Sequence, residues 1–190
     1  MIRIALSGGI GAGKSAAGDH LAAHGALVIS ADLIGHEVIA PGGAAHETVA
    51  ARWPEAVRDG AVDRSALAAV VFTDPDELAA LEAITHPEIR DEIARRVEAA
   101  EAAVVAVEIP LLHHFLGEGW VRVVVDAPDD VRRARLRSRG MDGRDISARM
   151  ASQPPRVAWL SEADHVIDNS GGRDQLEAEV ERLWELLTPV

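Results

Sequence analysis

Cysteine is absent from the 190 residues. That absence excludes disulfides, thiolate metal sites and cysteine nucleophiles together, and makes a cytoplasmic address the expectation. Long apolar runs are missing as well, none reaching the roughly 18 residues that a membrane span needs. Ahead of the first glycines stand only Ile4, Ala5 and Leu6, too little for the apolar stretch of a secretory signal. Basic charge is scarce: 19 Lys and Arg face 31 Asp and Glu, a formal net charge of −12. Broad binding to nucleic acid or an anionic membrane is therefore excluded as the main activity, and any anion site must be local. Lysine itself is almost missing, with 18 arginines against the single Lys14 in a chain that also holds 34 alanines. A composition that replaces lysine by arginine wherever either serves has kept lysine at position 14. A compact point charge on a thin stem is needed there, where a broad planar fork would not fit.

What is present is ordinary globular material, 48% hydrophobic and 26% charged, and long enough for one α/β domain with a real core. Short β-branched runs alternate with helical patterns, which predicts a parallel sheet flanked by helices. Five strands are expected: Ile2 to Ser7, Ala26 to Ser30, Val104 to Ile109, Val121 to Asp126 and His165 to Asp168. A final helix from about Asp174 to Leu187 places Leu176, Val180, Leu183, Trp184 and Leu187 on one face. The second gap, from Ala31 to about Ala103, is far longer than a crossover requires, so a helical insert is expected over about 33–102. Within it, helices are expected at Ser65 to Phe72 and Asp76 to Ile84. A stop is expected at His86-Pro87, where proline disfavours the α conformation for the residue before it and can open a new helix, here running through Val97. The fourth gap begins with an arginine-rich helix and passes Gly140, Gly143, Pro154 and Pro155, which suggests a mobile lid over about 132–160.

Directly after the first strand, Gly8-Gly9-Ile10-Gly11-Ala12-Gly13-Lys14-Ser15 fits G-x-x-x-x-G-K-[ST] at every fixed position. Glycines let successive N–H groups point into one concavity and the following helix adds its positive end. Lys14 reaches β- and γ-phosphates, and the Ser15 hydroxyl can ligate Mg²⁺. ATP and Mg²⁺ are the expected ligands, held by Gly9, Ile10, Gly11, Ala12, Gly13, Lys14, Ser15 and Ala16. The dinucleotide pattern G-x-G-x-x-G fails in both registers, since Gly9 and Gly11 lead to Lys14 while Gly11 and Gly13 lead to Ala16. Asp32-Leu33-Ile34-Gly35 does match D-x-x-G, but with Lys14 as the only lysine no guanine-reading N-K-x-D can exist.

Asp32 lies just past the second strand, where an open parallel sheet gathers its ligands. Its carboxylate could take the proton of an attacking hydroxyl or help position Mg²⁺, and it could also cap a helix starting at Leu33. Arg132, Arg135 and Arg139 fall on one helical face that could close over phosphates and stabilise charge in transfer. The competing reading is a solvated face with acidic partners such as Asp129. Glu108, ending the third strand, is a possible outer partner of magnesium. Asp126 could serve likewise or cap the next helix.

The ordered set of Leu6 to Ser15, Ala31-Asp32-Leu33-Ile34, Leu81-Glu82-Ala83-Ile84-Thr85-His86-Pro87-Glu88-Ile89, Ile109-Pro110-Leu111-Leu112, Arg135 to Arg139, Ala148-Arg149-Met150-Ala151-Ser152-Gln153 and Ala163 to Gly171 resembles the dephospho-coenzyme A kinases. These are P-loop kinases related to nucleoside monophosphate kinases. The resemblance covers nearly the whole chain and implies a P-loop NTPase-type five-stranded parallel sheet with a helical substrate-binding insert and a lid. The implied reaction is transfer of the ATP γ-phosphoryl group to the 3′-hydroxyl of dephospho-coenzyme A. It makes Lys14, Asp32 and Arg139 the catalytic residues, places Arg135 and Asn169 beside ATP, with Asn169 near the adenine, and gives the acceptor Asp32, His86, Pro110 and Leu111. For His86 a capping role ahead of Pro87 is the alternative. Ser30 stands where the family usually has an aspartate, and His113 and His114 where it has an aromatic and a glutamate. A nucleotide-binding regulatory module without an acceptor is the non-enzymatic alternative. A monomer or weak homo-oligomer is expected, with no nucleic-acid or membrane partner.

Overall fold

The computed structural model describes residues 1–110 and 115–189. In chain order the elements are β1 (Ile2–Ser7), α1 (Lys14–Ala23), β2 (Leu27–Ser30), α2 (Ala31–Ile39), α3 (His46–Arg52), β3 (Val57–Arg58), β4 (Ala61–Val62) and α4 (Arg64–Val71). There follow α5 (Pro75–Glu98), β5 (Val104–Glu108), β6 (Val121–Asp126), α6 (Asp129–Ser138), α7 (Gly143–Ala151), α8 (Arg156–Ser161), β7 (His165–Asp168) and α9 (Arg173–Leu187). The chain divides into two compact units, Met1–Ser30 with Ala100–Val190, and Ala31–Ala99.

The first unit is built on a five-stranded sheet in the order β2-β5-β1-β6-β7. All its pairings are parallel, with Ile4 opposite Ala106 and Val121, Ser30 opposite Glu108, and Asp126 opposite Asp168. Three strands have the expected bounds. The second begins one residue later and the third ends at Glu108, although the Ile109 N–H still donates to the Leu6 carbonyl at 2.9 Å. Apolar side chains on alternate positions explain the pairing: Ile4, Leu6, Val104, Ala106, Val123 and Val125 pack with Leu21 of α1 and Leu176, Val180 and Leu183 of α9. The intervening Ala5, Val105, Val107 and Val124 are buried too, so the three central strands β5, β1 and β6 are covered on both faces, as is usual for parallel strands. With β1 central and its C-terminal end running into α1, the residues between them lie at the edge where parallel sheets bind ligands.

The second unit is helical, with one antiparallel pair, β3 and β4. α5 buries Thr85, Ile89, Ile93 and Val97 at four-residue intervals, and α2 packs against it, so that a Cβ on Gly35 would lie 3.5 Å from Ile89 Cδ1. Trp53 is almost wholly buried, its indole N–H donating to Glu77 Oε2 at 2.8 Å. The expected stop at His86-Pro87 does not occur: α5 runs unbroken from Pro75 to Glu98 with Pro87 inside it. Pro87 and Ala83, the residue whose carbonyl loses its donor, are both exposed. Water can solvate that carbonyl while the opposite stripe keeps the helix packed. His86 is accordingly a mid-helix residue and no cap. Asp32, likewise, lies in the first turn of α2, which starts at Ala31 directly after β2, rather than capping a helix from Leu33.

Candidate active site

The loop between β1 and α1 turns its carbonyl groups toward donors supplied by the rest of the first unit. The Gly8 carbonyl accepts from Lys14 Nζ at 2.8 Å, Gly9 from the Ala12 N–H at 3.0 Å and Ile10 from Arg132 Nε at 2.8 Å. That of Ala12 accepts from Asn169 Nδ2 at 2.7 Å and Arg135 Nη1 at 3.3 Å. Carbonyl oxygens are the groups that would repel a polyphosphate. With these four engaged, the concavity is left to the positive N-terminus of α1 and to loop N–H groups other than those of Ile10 and Ala12, which are themselves bonded. Gly13 makes this geometry possible. Its φ of +104° suits glycine, and a Cβ there would lie 2.2 Å from Asn169 Nδ2.

α6 brings two of the three expected arginines to this loop, each in a different role. Arg132 is buried at 6% exposure, and that burial pushes its guanidinium below the usual arginine range, with Asp129 opposing at 3.2 Å. It lies buried against the loop and not on a solvated face. Arg135, also lowered by burial and then by nearby Arg139, donates to Asn169 Oδ1 and the Gly171 carbonyl, both at 3.1 Å. Asn169 therefore spends both ends of its carboxamide on Ala12 and Arg135, holding the loop. Arg139 ends α6 and lines a cavity of about 700 Å³ with Gly13, Ala16, Arg135, Asn169 and Arg173.

On the other side of α1, the Ser15 hydroxyl donates to Glu108 Oε2 at 3.3 Å. Glu108 ends β5 and lies so close to α1 that a Cβ on Gly18 would come within 2.4 Å of its other carboxylate oxygen. A hydroxyl beside a carboxylate is a donor set suited to Mg²⁺, a hard cation that takes few protein oxygens and completes its shell with phosphate and water. Among the described residues no group of three or more His, Cys, Asp or Glu could hold a metal without such help. Asp126 is committed elsewhere, accepting from Arg156 at 2.8 and 2.5 Å, and α6 begins only after Pro128.

In the second unit, His86 is partly buried in α5; desolvation pushes its imidazole below its ordinary pKa, Glu82 opposing and Arg90 adding to the fall, which favours the neutral ring. Pro110 follows β5, while Leu111, His113 and His114 lie outside the described residues. Two residues at the loop do what the sequence does not show: Gln153 stands there only as part of a motif, and Arg132 as one of a helical face that could close over phosphates, whereas both bond Ile10.

Comparison with known proteins identifies the family. A family model described as Dephospho-CoA kinase matches residues 2–175. A dephospho-CoA kinase of Frankia casuarinae is 43% identical over 190 residues, covering 97% of this chain and 83% of that one. One of Aromatoleum aromaticum is 45% identical over 186 residues, covering 95% and 91%. A crystal structure of a Thermus thermophilus protein superposes with a TM-score of 0.87 at 34% identity, covering 98% of each chain. With a lysine-bearing phosphate loop braced at the carbonyls of Gly8, Gly9, Ile10 and Ala12, and relatives matched over nearly the whole of this chain, the chain belongs to the dephospho-CoA kinases, ATP-dependent enzymes that phosphorylate dephospho-CoA in the final step of coenzyme A biosynthesis.

Proposed function

We propose that the phosphoryl group goes from MgATP to the 3′-hydroxyl of the acceptor ribose, with Lys14 and the loop amides on the β- and γ-phosphates. Phosphoryl transfer asks mainly for alignment and charge neutralisation. The observation that carries this reading is the engagement of the loop carbonyls by Lys14, Arg132, Arg135 and Asn169, which gives the concavity a single electrostatic sign. Ser15, with Glu108 behind it, would hold Mg²⁺, which when bound neutralises charge on the phosphates. The cavity lined by Ala16, His20, Arg135, Arg139 and Arg173 is of a size for the nucleoside, and Arg139 at its rim is free of a role in the fold's interior, which suits it to charge developing in transfer.

Asp32 is the acceptor-side carboxylate. It follows by two positions Ser30, which ends β2 in register with Glu108, and that place in the chain supports a base over a purely helical role. Unit Ala31–Ala99, with His86, is the acceptor-binding insert, helped by Pro110 and Leu111, and the segment of about 132–160 is the cover of the nucleotide. No helix among the described residues is long and apolar enough to cross a membrane, which accords with a cytoplasmic enzyme.

Asp32→Asn should lower kcat by ~10²- to 10⁴-fold, the range of a lost general base, while KM for ATP moves little. Steady-state assays with ATP, Mg²⁺ and dephospho-CoA would read this. A variant of near-normal rate would reduce Asp32 to a first-turn helix residue.

A further inference from the structure

Ile10 is held at both of its peptide groups, Gly9–Ile10 and Ile10–Gly11. Its N–H donates to Gln153 Oε1 at 2.8 Å and its carbonyl accepts from Arg132 Nε at 2.8 Å, while Arg132 Nη2 lies 3.5 Å from the same Gln153 oxygen. Burial of Arg132 fixes one side. The other is fixed because Gln153 stands in the bend between α7 and α8, in a segment pinned at two points: the buried Trp159 donates to the Pro154 carbonyl at 3.1 Å, and Arg156 grips Asp126. Asp126 closes the circuit, since its carbonyl accepts the Asn169 N–H at 2.8 Å and Asn169 holds Ala12.

A peptide in a glycine-rich loop can rotate cheaply, and rotation of the Ile10–Gly11 peptide would swing the Ile10 carbonyl oxygen toward the anion in place of the Gly11 N–H. We propose that Gln153 is a positioning residue: its carboxamide oxygen, with Arg132, locks the peptide groups on either side of Ile10 so that the phosphate loop is formed before nucleotide arrives. Affinity is gained by lowering the ordering cost of binding, with no contact between Gln153 and the nucleotide. The inference rests on the loop being the nucleotide site.

Gln153→Met keeps the length of the side chain and removes the strong acceptor, whereas Gln153→Glu keeps an acceptor oxygen. MgADP is the probe, measured by calorimetry, with the Ile10 amide followed by ¹⁵N NMR and the thermal midpoint recorded for each variant. Gln153→Met should weaken MgADP by ~10-fold and raise KM for ATP in step, leave KM for dephospho-CoA within about twofold, and shift the Ile10 amide proton upfield with faster exchange. Gln153→Glu should keep the Ile10 signal and bind MgADP within about threefold of wild type. MgADP affinity within about twofold of wild type in Gln153→Met would overturn the proposal, as would a loss of affinity with the Ile10 resonance unmoved. Should Gln153→Met not fold, Gln153→Glu decides: retained affinity supports the lock, and a ~10-fold loss with Ile10 unshifted overturns it. Failure of the wild-type chain to bind MgADP would instead overturn the phosphate-loop reading itself, and this inference with it.

Discussion

Gly18 is the residue at which the proposed metal side of the site has little room to change. A Cβ there would meet Glu108 Oε1 at 2.4 Å, yet what it meets is the end of a flexible side chain, which can swing aside at small cost to the fold. Swinging aside would take the carboxylate from Ser15. Replacing a mid-helix glycine by alanine also gains up to about 1 kcal/mol of helix propensity. Gly18→Ala should therefore keep or raise the thermal midpoint while the Mg²⁺ concentration for half-maximal rate rises several-fold. A Mg²⁺ titration of initial rates checks this, and an unchanged titration would remove Glu108 from the metal's surroundings. Lys14, Ser15 and the loop glycines were legible in the sequence because a local motif dictates their chemistry. The clamp was not, because Arg132 and Gln153 bond a residue 122 and 143 positions away, and no spacing within the chain encodes such a meeting.

Among the elements, strand bounds were legible to within a residue because continuous β-branched runs ended by glycine, proline or charge leave few alternatives. α5 departs from the sequence expectation because proline's local rule says nothing of which face Pro87 takes, and a proline on the wet face of a helix held by four buried side chains does not stop it. The starts of β6 and β7 are tied differently. Asp164 accepts from the Arg122 backbone N–H at 2.8 Å and from its guanidinium at 3.0 and 2.6 Å. The Arg122 guanidinium and then its N–H hold the Asp164 carboxyl down at about 2, against an ordinary value of 3.8. A depressed carboxylate stabilises the fold above its unfolded pKa, and this is lost as pH falls through the folded one. Asp164→Asn should thus cost less than about 1 kcal/mol at pH 7, since the pair is partly exposed. The gap to wild type should close as pH falls from about 4 toward about 2. Urea unfolding across that range tests it, and a gap that is independent of pH would show that the loss comes from something other than the charge.

At the scale of the whole molecule, the net charge of −12 sets the background against which two anionic substrates must be bound. Attraction has to be local, and under the proposed reading Lys14, Arg135 and Arg139, gathered about one loop and one cavity of the first unit, supply it for the nucleotide. The second unit has its own buried set, Ile34, Val49, Trp53, Ile89 and Ile93 among others, so each unit possesses the apolar interior that gives a region an opening free energy of its own. A ligand protects only those amides whose opening releases it, by RT ln(1 + [L]/Kd), about 2.7 kcal/mol at a hundredfold excess over Kd. Under the proposed division of labour, MgADP at that excess should slow hydrogen exchange over residues 8–21 and in α6 and the 169–172 loop. It should leave the slow amides of 85–97 in α5 unchanged. Dephospho-CoA should do the reverse, slowing α2 and α5 while the loop amides keep their rates. Exchange followed by mass spectrometry distinguishes the two patterns. Protection of the loop by dephospho-CoA alone, with none in 31–99, would mean that the helical unit serves something other than the acceptor.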